Sequence, residues 1–395
     1  MLKIFIALFV LSFSIPAWAT TYFVKTTGND NNAGTTWALA KATVQGCMNL
    51  CTVAGDRCVV AAGTYYETGI TPGGPGARGT LSELYGDMDN TVADGGANYS
   101  GVAGYIKLDA SLQSGNKGIG TAANTAASNN WVYWNITNIW FAGGQGLFMR
   151  PASGAGTSDG TTYSKCIFEA PGGGNRWDGF TVDSDSYSPH TFDRCIFQSG
   201  YRDANGYNSS MITSAQKSTA FTTNPQVVFK NSIFVGPNNL IGSNGGVTEY
   251  TYISIQNCTL YSVVNSGTLE SYGFYGANSL YYKANITDSI IVAKTGLSLL
   301  TTINTNTNNT TYFLASSTAS SSPLLPPIPL MFPGSTVIDT LSTGLATDIW
   351  GNARSGSTRE PGAQEYQAGD YPIEPNMIVP TPGGTTYSSI GFVVN

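Results

Sequence analysis

The fold is decided by a phrase that returns along the chain. It reads Lys165-Cys166-Ile167-Phe168, then Arg194-Cys195-Ile196-Phe197, Asn231-Ser232-Ile233-Phe234, Asn257-Cys258-Thr259-Leu260 and Asp288-Ser289-Ile290-Ile291, with Asn138-Ile139-Trp140-Phe141 ahead of them. Register marks at Asn138, Cys166, Cys195, Ser232, Cys258 and Ser289 are spaced 28, 29, 37, 26 and 31 residues apart. From Cys166 onward every mark is small or a thiol. A bulky apolar residue stands two places later: Phe168, Phe197, Phe234, Leu260 and Ile291. Residues two apart share one face of a strand. A phrase that recurs every thirty residues or so is the sign of stacked repeats.

If each repeat is one coil, equivalent residues stack at the parallel-strand spacing of about 4.8 Å. Cys166, Cys195, Ser232, Cys258 and Ser289 then form an inward ladder of small groups, beside an inward apolar ladder. The residue before each mark, Lys165, Arg194, Asn231, Asn257 or Asp288, varies as a solvated position does. Stacked free thiols act as small hydrophobes, and neighbouring strands fit disulfide geometry poorly. Polar stretches such as Pro171-Gly172-Gly173-Gly174-Asn175 and Val235-Gly236-Pro237-Asn238-Asn239 supply the bends. A solenoid grows along its axis with a narrow core, so a chain of 395 residues need not split into domains. A β-sandwich has closer-spaced strands and repeats no such phrase.

Composition agrees and excludes other classes. Eighteen Lys and Arg face 24 Asp and Glu, for a net charge of -6, which does not suit a nucleic-acid binder of the basic-patch kind. Only 11% of residues are charged and 12% are aromatic, so this is not a charge-rich disordered chain. Forty-seven Gly and 22 Tyr favour short strands and turns over a helical bundle. His190 is the single histidine, so a His-rich metal centre is excluded.

Residues 1–19 read as a signal peptide. Lys3 precedes the apolar run Ile4–Phe13, and Ala17-Trp18-Ala19 is a cleavage signal, with the cut expected after Ala19. The run is too short to span a bilayer, and no later stretch is apolar enough to do so. The mature chain is therefore expected outside the cell or at its surface, where disulfides form. Near Cys47, Cys51 and Cys58 a helix-like stretch, Lys41–Leu50, leads through Gly55-Asp56 into a strand. One bridge, Cys47–Cys58 or Cys51–Cys58, would staple helix to strand. A thiolate zinc site lacks its fourth ligand.

The stretches Tyr22–Thr35, Ala42-Thr43-Val44-Gln45, Gly55-Asp56 and Ala62–Glu67 occur in this order. Together they resemble the opening of secreted bacterial right-handed parallel β-helix proteins of the pectate-lyase-like superfamily. Asp348–Arg354 and Glu360–Glu365 resemble the closing motif of exported "choice-of-anchor" proteins, except that Pro361 replaces part of an aspartate-isoleucine pair. The resemblance implies an all-β chain: a single-stranded right-handed parallel β-helix, or solenoid, with an N-terminal capping helix. Both motifs do capping and turn work in that family.

The expected order is cap and first coil at 20–70 and β-helix at 71–313, with a Gly-rich excursion at 71–130. A low-complexity crossing follows at 314–333, a closing segment at 334–366, and a Pro-rich, mobile tail at 367–395. Within the tail, Ser389–Val394 could pair with an edge or a partner.

The superfamily includes polysaccharide lyases, glycoside hydrolases, adhesins and tailspike-like binders, and fold alone does not choose among them. The densest charge cluster is Arg176, Asp178, Asp183, Asp185, Asp193, Arg194, Arg202 and Asp203. β-Elimination from an acidic glycan needs a base and cations that neutralise the uronate. By the resemblance, Arg176, Arg202 and Lys217 are the candidate cationic groups, and Asp178, Asp183 and Asp185 the candidate ligands of Ca²⁺. The hydrolase version needs two opposed carboxylates, for which Asp178 and Asp203 stand as candidates. The plain alternative is that these charges solvate turns and pair across coils. Trp131, Tyr133, Trp134, Trp140, Trp177, Tyr187, Tyr201 and Tyr207 crowd the same coils. The loop residues Trp177, Tyr187, Tyr201 and Tyr207 are candidates for stacking on sugar. His190, in Ser188-Pro189-His190-Thr191, reads as a turn residue. Asp30-Asn31-Asn32-Ala33-Gly34 reads as a turn of the cap, since the Glu of a Ca²⁺ loop is missing.

The expected function is thus engagement of a polysaccharide or cell-surface glycan, with cleavage of an acidic glycan by lyase or hydrolase chemistry as the enzymatic form. The alternatives are a non-catalytic carbohydrate-binding or adhesion protein and a structural exported solenoid.

Overall fold

In a computed structural model of the chain, the residues described are 19–110 except 68 and 75, the strands and corners between 133 and 313, and the short strands Ile378–Pro380 and Tyr387–Ser389. The strands form a parallel β-helix of three faces. The first sheet has ten strands, running from Thr21–Val24 and Arg57–Ala61 to Tyr282–Thr287 and Thr302–Thr307. The second has nine, from Gly63–Tyr65 to Thr310–Phe313, and the third six, from Phe148–Met149 to Thr295–Ser298. From Trp134–Thr137 to Thr295–Ser298, each coil takes one strand of each sheet in turn. Thus Thr162–Ser164, Ile167–Ala170 and Phe180–Asp183 are followed by His190–Asp193, back in the first sheet beside Thr162–Ser164.

The register places Phe168 beside Phe197, Phe197 beside Phe234, Phe234 beside Leu260 and Leu260 beside Ile291. The apolar ladder is therefore real. Its rings stack at centroid distances of 4.8 Å for Phe168–Phe197 and 4.7 Å for Phe197–Phe234. A second inward column from the first sheet, Tyr163, Phe192 and Phe229, stacks the same way and meets the first edge to face. Cys166, Cys195, Ser232, Cys258 and Ser289 are all buried.

Three details of the repeat are corrected. The residues before the marks are not ordinary solvated strand positions. Lys165, Arg194, Asn231, Asn257 and Asp288 all adopt left-handed backbone, with φ between 48° and 56°, and turn the chain from first sheet to second. Asn231, Asn257 and Asp288 are buried. Asn and Asp tolerate this conformation better than most residues, because their short polar side chains bond locally. Asn138, with φ 60°, belongs to this corner series, so Ile139 rather than Asn138 stands at the ladder position.

The ladder residues also do more than fill space. Cys166, Cys195, Ser232, Cys258 and Ser289 each donate to the carbonyl two residues back: Ser164, Asp193, Lys230, Gln256 and Thr287. The same carbonyls accept the amides of the preceding coil's corner residues, for example Lys165 N to Asp193 O at 3.0 Å. A left-handed corner pulls its neighbours off the strand ladder, and the thiol or hydroxyl restores the pairing that buried backbone requires. Ser232 Oγ also accepts from Cys195 N at 3.1 Å, so Ser232→Ala should strand that buried N–H and cost about 2 kcal/mol. Ser232→Cys, whose sulfur can still accept weakly from that amide, should cost less. Urea unfolding of the two variants is the check, and equal losses would contradict the role.

At the start of the chain, the free edge of Thr21–Val24 is covered by residues 34–41, through Phe23 N to Gly34 O and Lys41 N to Phe23 O. The helix Val44–Met48 buries Val44, Cys47 and Met48 in the core. Thr43 is its N-cap, and its hydroxyl accepts from Gly46 N. Asp30 accepts the Ala42 and Thr43 amides and the Thr43 hydroxyl, which is turn chemistry. Glu67 accepts the Val44 and Gln45 amides, a carboxylate at a helix start. Of the two pairings left open, Cys47–Cys58 is the bridge formed, and Cys51 is free and buried.

The Gly-rich stretch expected as an excursion over 71–130 is in part a coil. Ser82–Asp87 and Ile106–Asp109 are strands of the first and second sheets. Among the described residues of that stretch, the segment between them packs back on the cap. There Trp37 receives Tyr99 against its ring and hydrogen bonds to Val92 O and Asp94. Residues 111–130, the crossing at 314–333 and the closing segment at 334–366 lie outside the described residues, as does the signal peptide but for Ala19. In the tail expected to be extended, Ile378–Pro380 pairs antiparallel with Tyr387–Ser389. No helix among the described residues is long and apolar enough to cross a membrane.

Candidate functional site

Alternation sends every second residue of the second sheet outward. On Ile106–Asp109 the inward pair is Ile106 and Leu108, which leaves Lys107 and Asp109 outside. On Ile139–Ala142 the outward residues are Trp140 and Ala142, and on Ile167–Ala170 they begin with Ile167 and Glu169. The register puts Lys107, Trp140 and Ile167 in one column and Asp109 beside Ala142 in the next.

These side chains converge. Lys107 Nζ lies 4.7 Å from the centre of the Trp140 ring and 3.3 Å from Asp109 Oδ2. Trp140 Nε1 donates to Glu169 Oε2 at 2.9 Å. Tyr105 meets the indole edge to face at 6.0 Å. The indole is thus held from several sides while remaining half-exposed. Burial is the chief force on Glu169 and raises its pKa. The Lys107 charge and the Trp140 hydrogen bond oppose it, and the Asp109 charge adds to it. Burial alone pushes the Tyr105 phenol up to about 12, so it stays neutral at physiological pH.

Chemically this is an amphipathic plate: an aromatic ring with an ammonium group over one face, a carboxyl group at its N–H edge and a second carboxyl group paired with the ammonium. A pyranose ring is its complement, with apolar C–H faces for the indole and hydroxyls for the charged rim. The Lys107–Asp109 pair is partly exposed and contributes little to stability by itself.

Most of the site residues expected from the charge and aromatic clusters fall in connections between the described strands. Arg176, Trp177 and Asp178 fall between Ala170 and Phe180. Asp185 and Tyr187 fall between Asp183 and His190, Tyr201, Arg202, Asp203 and Tyr207 between Ser199 and Ser210, and Lys217 after Ala215. All lie outside the described residues. Asp183 ends the strand Phe180–Asp183 of the third sheet, in register with Ala215. Among the described residues no group of three or more His, Cys, Asp or Glu is placed to hold a metal ion. Asp193 and Arg194 pair with each other at 3.0 Å within one coil, and Asn231 donates to Asp193 from the next coil, so this part of the charge cluster is a local ion pair with one cross-coil hydrogen bond. Trp134 is buried in the core rather than exposed.

His190 is the clearest correction. It is not an exposed turn residue. It opens the strand His190–Asp193, faces inward and is buried, because it stands two residues from Phe192 and shares its face.

The Lys107–Trp140–Glu169 cluster had a legible signal. Glu169 follows the ladder residue Phe168, where the other copies carry Ala142, Gln198, Val235, Tyr261 and Val292. It is the one carboxylate in that outward series, one coil beyond an outward tryptophan.

No protein-family profile matches the chain, and no curated protein matches it. Several solved structures align with it, two of them as follows. One, described as "The complex structure of XylC with xylose", has a TM-score of 0.35 at 9% identity, over 70% of this chain and 70% of that chain. The other is a GH136 lacto-N-biosidase from Eubacterium ramulus, with a TM-score of 0.27 at 12% identity, over 69% of this chain and 41% of that one.

Proposed function

We propose that this chain is an exported β-helix protein that holds a polysaccharide against the outer face of its second sheet. Trp140 is the stacking plate, and Lys107, Asp109 and Glu169 are the partners of the sugar hydroxyls. The observation that carries the reading is the half-exposed indole fixed by Lys107, Tyr105 and Glu169. A rigid aromatic ring loses little entropy on binding, so such an anchor contributes more than a mobile one. Export is supported by the apolar leader at 1–19 and by the Cys47–Cys58 bridge.

In the enzymatic form of this reading the glycan is acidic. The connections 171–179 and 200–209 follow two adjacent strands of the same sheet, the first of them bearing Glu169. They carry Arg176, Trp177, Asp178, Tyr201, Arg202, Asp203 and Tyr207. Arg176, Arg202 and Lys217 would neutralise uronate groups. Asp178, Asp183 and Asp185 would offer the oxygen ligands that Ca²⁺ takes.

The test is retention of neutral and acidic polysaccharides by the full exported chain and by Trp140→Ala, together with release of unsaturated products and new reducing ends, with and without Ca²⁺. Loss of the indole should weaken retention by roughly tenfold or more, the equivalent of about 1.4 kcal/mol. Retention of none of the polysaccharides, or equal retention by Trp140→Ala, would sink the reading. Retention without product would leave a binder rather than an enzyme.

A further inference from the structure

We propose that His190 is an acid-sensitive clasp that closes the coil carrying Glu169. That coil begins at Thr161, passes through Ile167–Ala170 and returns to the first sheet at His190. The two ends meet there. Thr161 N donates to His190 Nδ1 at 3.1 Å, and Thr191 N donates to Thr161 O at 3.0 Å. The imidazole therefore takes a position in the backbone ladder between two coils.

The hydrogen bond assigns the tautomer. Nδ1 is the acceptor and carries no proton, so the proton sits on Nε2. Nε2 is buried and has no hydrogen-bond partner among the described residues. A second proton would turn Nδ1 into a donor pointing at the donor Thr161 N–H. It would also place a full charge in the interior, which is costly without a counter-charge. No counter-charge faces it among the described residues. Thr161 and Tyr163 stand on the preceding coil, Val227 and Phe229 on the next, and Phe192 on its own strand. Among the described residues, the inward titratable groups of the adjoining coils are Tyr163, Cys166 and Cys195, none of them a carboxyl group. Burial alone moves the imidazole from its ordinary 6.5 to about 4.

The sign follows from proton counting. The folded chain binds fewer protons than the unfolded chain between pH 6.5 and about 4. The stability tied to the neutral ring is fully present above pH 6.5, falls as the pH drops through that window, and is lost below it. Acid thus favours opening of the segment that bears Glu169. Release of a bound glycan in acid follows only if the glycan reading above is right.

The single histidine makes the experiment unambiguous. Nitrogen NMR of the imidazole in the full folded chain should show Nδ1 unprotonated and the ring neutral down to nearly pH 4. In urea unfolding, the folding equilibrium between pH 7 and pH 4.5 should fall roughly 60-fold further for the wild type than for His190→Asn. The asparagine oxygen can accept from Thr161 N but does not titrate. Native titration near 6.5, or parallel pH profiles for the two proteins, would overturn the clasp. If His190→Asn does not fold, the ring titration and the exchange rate of the Thr161 amide, expected to rise in acid, decide it in the unaltered chain. A ring that behaves as described in a protein that retains no polysaccharide at neutral pH supports the clasp and removes only the glycan reading.

Discussion

Replacing Phe197 by alanine should cost the protein about 4 kcal/mol, the usual loss for a buried phenylalanine cut to alanine. The ring is fully buried. It stacks on Phe168 at 4.8 Å and on Phe234 at 4.7 Å, and presents its edge to Phe192 and Phe229 at 5.5 and 5.6 Å. These neighbours come from three consecutive coils, so the cavity opens between coils rather than inside one. Coil-to-coil contact is what a solenoid has in place of a global core. The loss should therefore appear both as a lower urea midpoint and as new protease sensitivity around residues 160–235. Thr191→Ala, on the outer face of the neighbouring strand, should change stability by less than about 0.5 kcal/mol. A Phe197→Ala protein as stable as the Thr191→Ala protein would mean that the ring stack is not the core.

The second large effect is expected at Asp56. Its carboxylate is buried and accepts three backbone amides: Thr20 at 2.8 Å, Thr52 at 2.9 Å and Val53 at 2.8 Å. One side chain thereby ties the entry to the first strand, the turn after the helix and the start of Arg57–Ala61. Asp56→Ala leaves three donors without their acceptor, each costing about 1 to 2 kcal/mol, with water recovering part at the more exposed ones. A total of about 3 to 5 kcal/mol is expected, along with faster exchange of the Thr52 and Val53 amides. Asp56→Asn should also be poor, because its NH₂ would face amide donors. The Cys47–Cys58 bridge still tethers the helix to the strand, so the damage should stay near the start of the solenoid. Unchanged exchange at Thr52 and Val53 in Asp56→Ala would show that the carboxylate does not hold this turn.

What could be read in advance follows from how the physics repeats. The Cys/Ser-Ile-Phe phrase recurs because every coil makes the same corner and buries the same ladder, so the second sheet was legible. The column Tyr163, Phe192 and Phe229 lies in strands of varied sequence and left no phrase to find. The corner residues looked solvated because Lys, Arg, Asn and Asp share polarity. What unites them is backbone conformation, which their identities only partly reveal. Asn138 misled for the same reason, since Ile139 fills the place that a thiol or hydroxyl takes in the later copies. Gly-rich spacing hid the strands Ser82–Asp87 and Ile106–Asp109, whose partners are set by coils on both sides.

The candidate site was harder to see because charge was sought where it is dense along the chain. In a solenoid, neighbours on a face are about thirty residues apart. Lys107, Trp140 and Glu169 are isolated in sequence and adjacent in space, and the repeat that revealed the core is also the ruler that brings them together. His190 was misread because Pro189 before it suggested a turn, whereas the strand begins at the next residue.

A crystal structure of the chain tests the central claim most directly. The account predicts Cys166, Cys195, Ser232, Cys258 and Ser289 in a single inward column, with Phe168, Phe197 and Phe234 stacked beside it and Trp140 outside against Glu169. Thiols facing water, or these five residues divided among different sheets, would contradict it.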